Sequence, residues 1–317
     1  LRIDRLNLIA AFLLLGCAFA AGTARSEAIY GGFPTLDVSA RGTALGSSLV
    51  ALTDDSEANT WNPAGLLWLG QRELTFSYAD LFGLGLVEQT VAQFAWPILE
   101  TDHELGSGQV VTRKLPPPAV RAFGFSVSNL SADALGVDYQ ETEVGLNFAW
   151  RTPGSTFAGV GVRFLWSQSS DGSVEASGQS FQVGLQRTMG QFRAGFLARD
   201  LISSLDWKEG TDDALPLRLA LGLAWLPRSL PIRTTAEYTA RGQADGTSRL
   251  GAAVEWDVVG PLTLRGGLRS TDDNGGQDVD WSSGLGFRWS ELHVDYGFLE
   301  SGNDLGTTHR WSASLGL

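Results

Sequence analysis

From about residue 72 to the end of the chain, large apolar residues recur at every second position over segments of roughly ten residues, separated by turn formers. Successive side chains of a strand point to opposite faces, so this period predicts a long series of half-buried β-strands. In Glu143-Val144-Gly145-Leu146-Asn147-Phe148-Ala149-Trp150 the even positions are large and apolar and the odd ones small or polar. Ala158, Val160, Val162, Phe164 and Trp166 repeat the pattern, as do Leu217, Leu219, Leu221, Leu223 and Trp225, then Leu250, Ala252, Val254 and Trp256. Trp311, Ala313, Leu315 and Leu317 carry it to the last residue. The intervening positions are as consistent, with Gly145, Asn147, Gly159, Gly161, Arg218, Gly222 and Asp295 beside the charged set Arg163, Arg233, Glu237, Arg249, Glu255, Arg265 and Arg288.

Alternation alone does not say whether the apolar face packs against another layer or meets lipid. The tryptophans separate the two. Trp96, Trp150, Trp225, Trp256 and Trp289 lie on apolar-rich segments just before short connections, and Trp166, Trp281 and Trp311 lie beside the longer polar ones. An indole ring with one N–H donor favours a membrane interface, so rings at both strand ends predict two interfacial girdles. Trp281 and Trp289 share a strand face about 26 Å apart, or roughly 20 Å along the membrane normal after a ~40° tilt. The charged set then lines a polar lumen. Counting from Arg72 gives about fourteen strands, an even number as bacterial outer-membrane barrels require. Short turns fall near residues 151–156, 188–190, 226–231, 258–261 and 290, where a periplasmic end is expected. The long connection from Leu99 to Pro118 breaks that rule.

Roughly eight strands already make a just-filled barrel, so fourteen leave a lumen that something else occupies. Residues 29–71 precede the wall, show little alternation and contain helix-like pieces such as Ala44 to Leu52; they are the predicted plug. Within them Asn62, Pro63, Ala64 and Gly65 form a rigid bend, since Pro63 fixes φ and Gly65 permits close backbone approach. Trp61 and Trp68 flank it, and the motif reads either as a turn that orients the plug or as a gate beside a ligand path.

At the N-terminus, Arg2 and Arg5 precede an apolar run from Leu6 to Ala20, with small residues at Ala18-Phe19-Ala20 and Ser26-Glu27-Ala28. Residues 1–28 read as an export signal, favoured over a lipoprotein box at Cys17 because Leu15 is bulky where small residues are preferred. No later stretch is long and apolar enough for a helical span. Net charge is -12 at pH 7, which argues against nucleic acid as a partner, and Cys17 is the only cysteine, so thiolate metal sites and disulfides are not expected.

The stretch from Arg41 to Leu67, RGTALGSSLVALTDDSEANTWNPAGLL, resembles the N-terminal signature of PorV/PorQ-like outer-membrane proteins within the FadL-type superfamily. LTFSYADLF at 74–82, LPLRLALGLAW at 215–225 and GTTHRWSASLGL at 306–317 resemble the corresponding family segments. The resemblance implies an all-β, antiparallel transmembrane β-barrel of fourteen strands with an N-terminal hatch. The terminal Leu317 departs from it, since such proteins favour Phe there. It implies transport of small hydrophobic compounds across the outer membrane, with a PorV-like role in binding or shuttling secreted protein cargo as the alternative. Outer-membrane lipid is the surrounding partner in either case. No cofactor and no enzymatic role is expected: His103, His293 and His309 are scattered, each reading as a lumen or loop residue, and no nucleophile elbow or phosphate loop occurs. The acidic runs Asp206–Asp213 and Asp272–Asp280 lack EF-hand spacing and read as solvated loops. Gly159-x-Gly161 and Gly284-x-Gly286 lie within strands, where a missing side chain makes room for plug packing or bending.

Overall fold

The computed structural model describes residues 38–99, 119–134, 136–208, 212–242, 247–273, 276–302 and 306–317. The expected export signal, residues 29–37 and nearly all of the 99–118 connection lie outside them.

The plug contains helix α1 (Ala40–Ala44), helix α2 (Ala58–Trp61) and a 3-10 helix over Pro63–Trp68. The wall follows as β1 (Glu73–Leu81), β2 (Val87–Ile98), β3 (Arg121–Ala134), β4 (Val137–Arg151), β5 (Thr156–Ser169), β6 (Glu175–Met189) and β7 (Phe192–Trp207). After a two-residue strand, β8 (Asp212–Asp213), it continues as β9 (Arg218–Trp225), β10 (Ile232–Arg241), β11 (Ser248–Val259) and β12 (Leu262–Asp273). It ends with β13 (Gly276–Trp289), β14 (Leu292–Glu300) and β15 (Thr307–Gly316).

Each wall strand pairs antiparallel with its neighbours in the chain, β7 pairing with β9 because β8 only extends the outer end of β7. β1 pairs with β15, Glu73 opposite Gly316, and this closes the sheet into a fourteen-stranded barrel. Closure removes both sheet edges, so every wall strand has a partner on each side without help from water.

The faces are inverted relative to a water-soluble protein. Leu146, Leu250, Leu268 and Leu285 stand on the outside with about half or more of their surface exposed, while Arg310, Gln93, Gln182 and Gln186 are fully buried inside. An apolar exterior around a buried polar interior is stable only in lipid, which settles the ambiguity left by the alternation. The apolar core belongs to the plug and the wall it touches: Leu66, Leu67 and Leu69 pack with Ala95, Ala122, Ala149 and Phe157, and Leu45, Leu49, Leu52 and Trp61 with Val91 and Ala224.

Three local features differ from the sequence expectations. The acidic run Asp272–Asp280, expected as a solvated loop, lies mostly in β12 and β13, where Asp280 is buried and paired with Arg269 at 2.6 Å. The helix expected over Ala44 to Leu52 ends where it was expected to begin, because Gly46 and Ser47 take positive φ (58° and 64°) and only turns follow. Left-handed backbone at two successive positions cannot continue a right-handed helix. In the wall, Ser180 pairs with Ser203 and Gln182 with Arg199, so Phe181 alone faces Asp200, Leu201 and Ile202. This bulge has Asp200 at φ 62° with its carboxylate pulled inward, and it leaves Leu201 and Ile202 exposed.

Candidate functional site: the plug and the lumen wall

The site is the surface along which the plug meets the wall, and the Asn62-Pro63-Ala64-Gly65 bend lies at its centre. Asn62 is fully buried. Its Oδ1 accepts from the Ala64 N–H (3.2 Å), capping the 3-10 helix that Pro63 begins. Its Nδ2 donates to the carbonyls of Val50 (2.8 Å), Leu185 (3.1 Å) and Phe196 (3.3 Å), so one side chain ties the bend to the rest of the plug and to β6 and β7. Gly65 is required by close approach, since a Cβ there would lie 2.7 Å from the Thr53 methyl and 2.8 Å from its carbonyl oxygen.

The wall opposite is carved to match. A Cβ at Gly159 on β5 would stand 2.6 Å from the Pro63 carbonyl carbon and the Ala64 nitrogen, and one at Gly184 on β6 would stand 2.9 Å from the Pro63 ring. Gly284, expected to give room for the plug, faces Ala44, whereas its companion Gly286 faces Arg265 and Asp295 of the wall.

Around the bend the polar groups form one connected network. Asn59 donates to the carbonyls of Ser56 (2.9 Å) and Phe94 (3.0 Å) and accepts from Asn147 on β4 (3.1 Å). Gln182 donates to Asn147 (2.9 Å) and accepts from Arg199 (3.2 Å), whose guanidinium also donates to the Thr60 carbonyl. Trp68 packs against Phe157 with the rings tilted by 54° and centroids 4.7 Å apart, donates to Gln186 (2.7 Å) and lies under the Arg193 guanidinium at 3.9 Å. Trp61 is buried, packs in the second apolar cluster and donates to Ser39 Oγ at 3.4 Å.

A second network ties α1 to the opposite wall. Arg41 is fork-bonded to Glu255 on β11 (Nε to Oε2 3.0 Å, Nη2 to Oε1 3.1 Å) and also pairs with Asp54 (2.8 Å) and with Asp55. Arg233 (2.8 Å) and Arg265 (2.6 Å) converge on the same Glu255, and Arg265 reaches on to Asp295 (2.6 Å). Burial opposes the charge on Arg41, but Glu255 and Asp54 outweigh it and hold the guanidinium protonated. Burial, with Asp55 adding to it, pushes the Glu57 carboxyl well above its usual value.

Of the residues expected in the lumen, Arg233, Glu255 and Arg265 meet the plug through this network, and Glu237 accepts from the Val50 N–H (2.8 Å). Arg163 lies inside but away from the plug, paired with Glu143 (2.7 Å) and Asp200 across the bulge. Arg249 is half-buried on the same face, and Arg288 occupies a lumen-side position of β13 but is exposed at the barrel rim. All eight girdle tryptophans lie on the outer face: Trp96, Trp150, Trp225, Trp256 and Trp289 at the short-turn end, Trp166, Trp281 and Trp311 at the other. His293 faces inward, whereas His309, expected in the lumen or a loop, lies on the outer face against Tyr296 (OH to Nδ1 2.8 Å), because odd positions of β15 point outward. His103 lies outside the described residues. The wall contacts of Gly184, Gln182, Gln186, Arg193 and Arg199 were not singled out from the sequence. Their signal is a run of lumen-parity positions holding Gly, Gln and Arg on the successive strands β6 and β7.

One small cavity lies between plug and wall among the described residues. Its volume of about 30 Å³, lined by Gln89, Ser126, Ser128, Glu141, Glu143 and Arg199 among others, holds about one water molecule.

No protein-family model and no curated protein matches the sequence. Solved structures do match. The chain superposes on the CymD monoaromatic hydrocarbon channel with a TM-score of 0.63 at 12% identity, covering 88% of this chain and 97% of that one. The fold is that of FadL-type channels. A Pseudomonas aeruginosa FadL homologue gives the same TM-score and identity over 88% of this chain and 98% of its own. The Pseudomonas putida toluene transporter TodX gives 0.59 at 11% identity over 88% and 97%. At such identities the correspondence is one of backbone architecture.

Proposed function

We propose that this protein admits small hydrophobic compounds across the bacterial outer membrane when its plug moves from the lumen. The observation that carries this reading is the FadL-type barrel itself, whose solved relatives include a monoaromatic hydrocarbon channel and a toluene transporter. Beside the two apolar clusters, the plug is held by many directional polar contacts. Hydrogen bonds and ion pairs to a lumen wall are exchanged for water on undocking at modest net cost, each about 1 kcal/mol. That suits a part that leaves and returns. The test is uptake of radiolabelled toluene by cells producing the protein, against cells producing an unrelated small closed barrel at equal level. Equal rates would sink the reading.

The many contacts that seat the plug against the wall favour a second reading, PorV-like binding of secreted proteins, in which the barrel serves as a platform. Under it toluene uptake stays at the control rate while cross-linking from the outer loops captures exported proteins.

A further inference from the structure

The lipid-facing rim at the short-turn end is not uniform around the barrel. On β1 to β4 it carries Arg72, Trp96, Arg121 and Trp150 on consecutive strands. Glu73 pairs with Ala95, so Arg72 stands across from Trp96, and its guanidinium carbon lies 4.5 Å above the Trp96 ring. Trp96 pairs with Phe123, and Arg121, two residues nearer the rim on β3, pairs with Trp150. Both arginines are exposed on the same face as the rings, and among the described residues neither makes an ion pair. At ~4.8 Å per strand and ~3.3 Å per residue their Cα atoms lie about 12 Å apart, so two arginine side chains can converge on one group.

Farther from the rim the same four strands present Phe76, Phe94, Phe123 and Phe125 outward, with Phe123 5.1 Å from Phe148. Around the rim from β9 to β15 the outward strand positions hold Trp225, Trp256, Phe287, Trp289, Leu292 and Leu315, with no arginine among the described residues. Arg187 on β6 is a further outward cation at this rim, but it stands alone; interfacial preference explains tryptophan all round the rim and does not explain two arginines set around Trp96 beside a phenylalanine shelf.

A guanidinium fork matches two phosphate oxygens, and stacking on an indole restrains it at little further entropic cost. Short turns mark the periplasmic end of a bacterial barrel. We propose that the β1–β4 sector binds one anionic phospholipid of the periplasmic leaflet, its phosphate held by Arg72 and Arg121 and an acyl chain laid over the phenylalanine shelf. The shelf is what selects a lipid over a free anion.

Native mass spectrometry of the intact barrel released from an uncharged detergent tests this, with dioleoylphosphatidylglycerol and dioleoylphosphatidylcholine titrated in parallel. The wild type should retain one phosphatidylglycerol in preference to phosphatidylcholine. Arg72→Gln with Arg121→Gln should lose roughly fivefold in retention per arginine, the usual size for a basic side chain near an anionic membrane surface. Arg228→Gln, in the β9–β10 turn, should behave as wild type. If the double variant lacks the heat-modifiable gel shift of a folded barrel, Arg121→Gln alone carries the test, with about a fivefold loss expected. Equal retention of the two lipids by the wild type, an unchanged double variant, or displacement of the lipid by millimolar inorganic phosphate would overturn the proposal.

Discussion

Asn62 is where a single atom exchange should undock the plug without touching the wall. Its Nδ2 carries two hydrogens and faces three carbonyls, so it makes at most two full hydrogen bonds, worth about 1 kcal/mol each in net terms. The cap from the Ala64 N–H to Oδ1 adds about 1 kcal/mol. The cap and the Val50 bond lie within the plug, so Asn62→Ala should favour the undocked plug by the wall-directed bond, about 1 kcal/mol or roughly fivefold in the docking equilibrium. Asn62→Asp keeps the cap oxygen but replaces both donor hydrogens with a carboxylate oxygen aimed at three carbonyls, in a site with no solvent exposure. An unpaired buried charge costs several kcal/mol more than a missing bond, so the isosteric change should be the more damaging of the two. Planar-bilayer conductance reads plug docking, and heat-modifiable gel mobility reads the wall. The expected order of open probability is wild type, then Asn62→Ala, then Asn62→Asp, all three with a folded-barrel gel shift. Should Asn62→Asp conduct no more than wild type in a folded barrel, the bend is not what holds the plug.

Gly184→Val should also raise conductance with the wall intact, because its side chain would enter the space of the Pro63 ring; unchanged conductance would show that the plug tolerates displacement there. Glu255→Gln should destabilise docking by about 3–5 kcal/mol and more than Arg41→Gln, since it removes the one carboxylate on which three arginines converge; conductance of the two variants side by side checks the order. Leu146→Arg lies on the outer face midway between Trp150 and the level of Trp166, which stands beside Thr142 on β4, so it should lower folding stability in lipid vesicles by about 2–4 kcal/mol in urea titrations. The raised pKa of Glu57 means that the docked plug holds a proton that the undocked plug releases above about pH 4.5. Docking should accordingly weaken as pH rises from there toward the raised value, and Glu57→Gln should flatten the conductance profile over that window; a profile identical to wild type would refute the assignment.

The wall was legible because a barrel strand is specified locally. One face must meet lipid and the other the lumen, so Leu146, Val160 and Leu250 on one parity and Arg163, Glu237 and Glu255 on the other can be read without knowing any contact. Tryptophan placement and turn lengths are equally local, and they gave the strand ends and the even strand count. The bend at Asn62-Pro63 was legible for the same reason, since Pro63 restricts backbone on both sides of itself.

What the tertiary structure decided is everything that depends on two distant segments meeting. Nothing in the neighbourhood of Asn62 says that its amide nitrogen will face the Leu185 and Phe196 carbonyls, more than 120 residues away. Gly159 could be read from the sequence as room for plug packing or bending, but that Pro63 fills that room, and that Gly184 shares it, shows only in the fold. The level at which a lumen side chain sits, and so whether Arg265 meets the Arg41 network or Arg288 reaches the rim, depends on strand register and on the depth of the plug. The same holds outside, where alternation makes Arg72 and Arg121 two unrelated lipid-side residues. Only the pairing of β1 to β4 sets them around Trp96, because in a closed sheet lateral neighbours come from register and not from sequence distance.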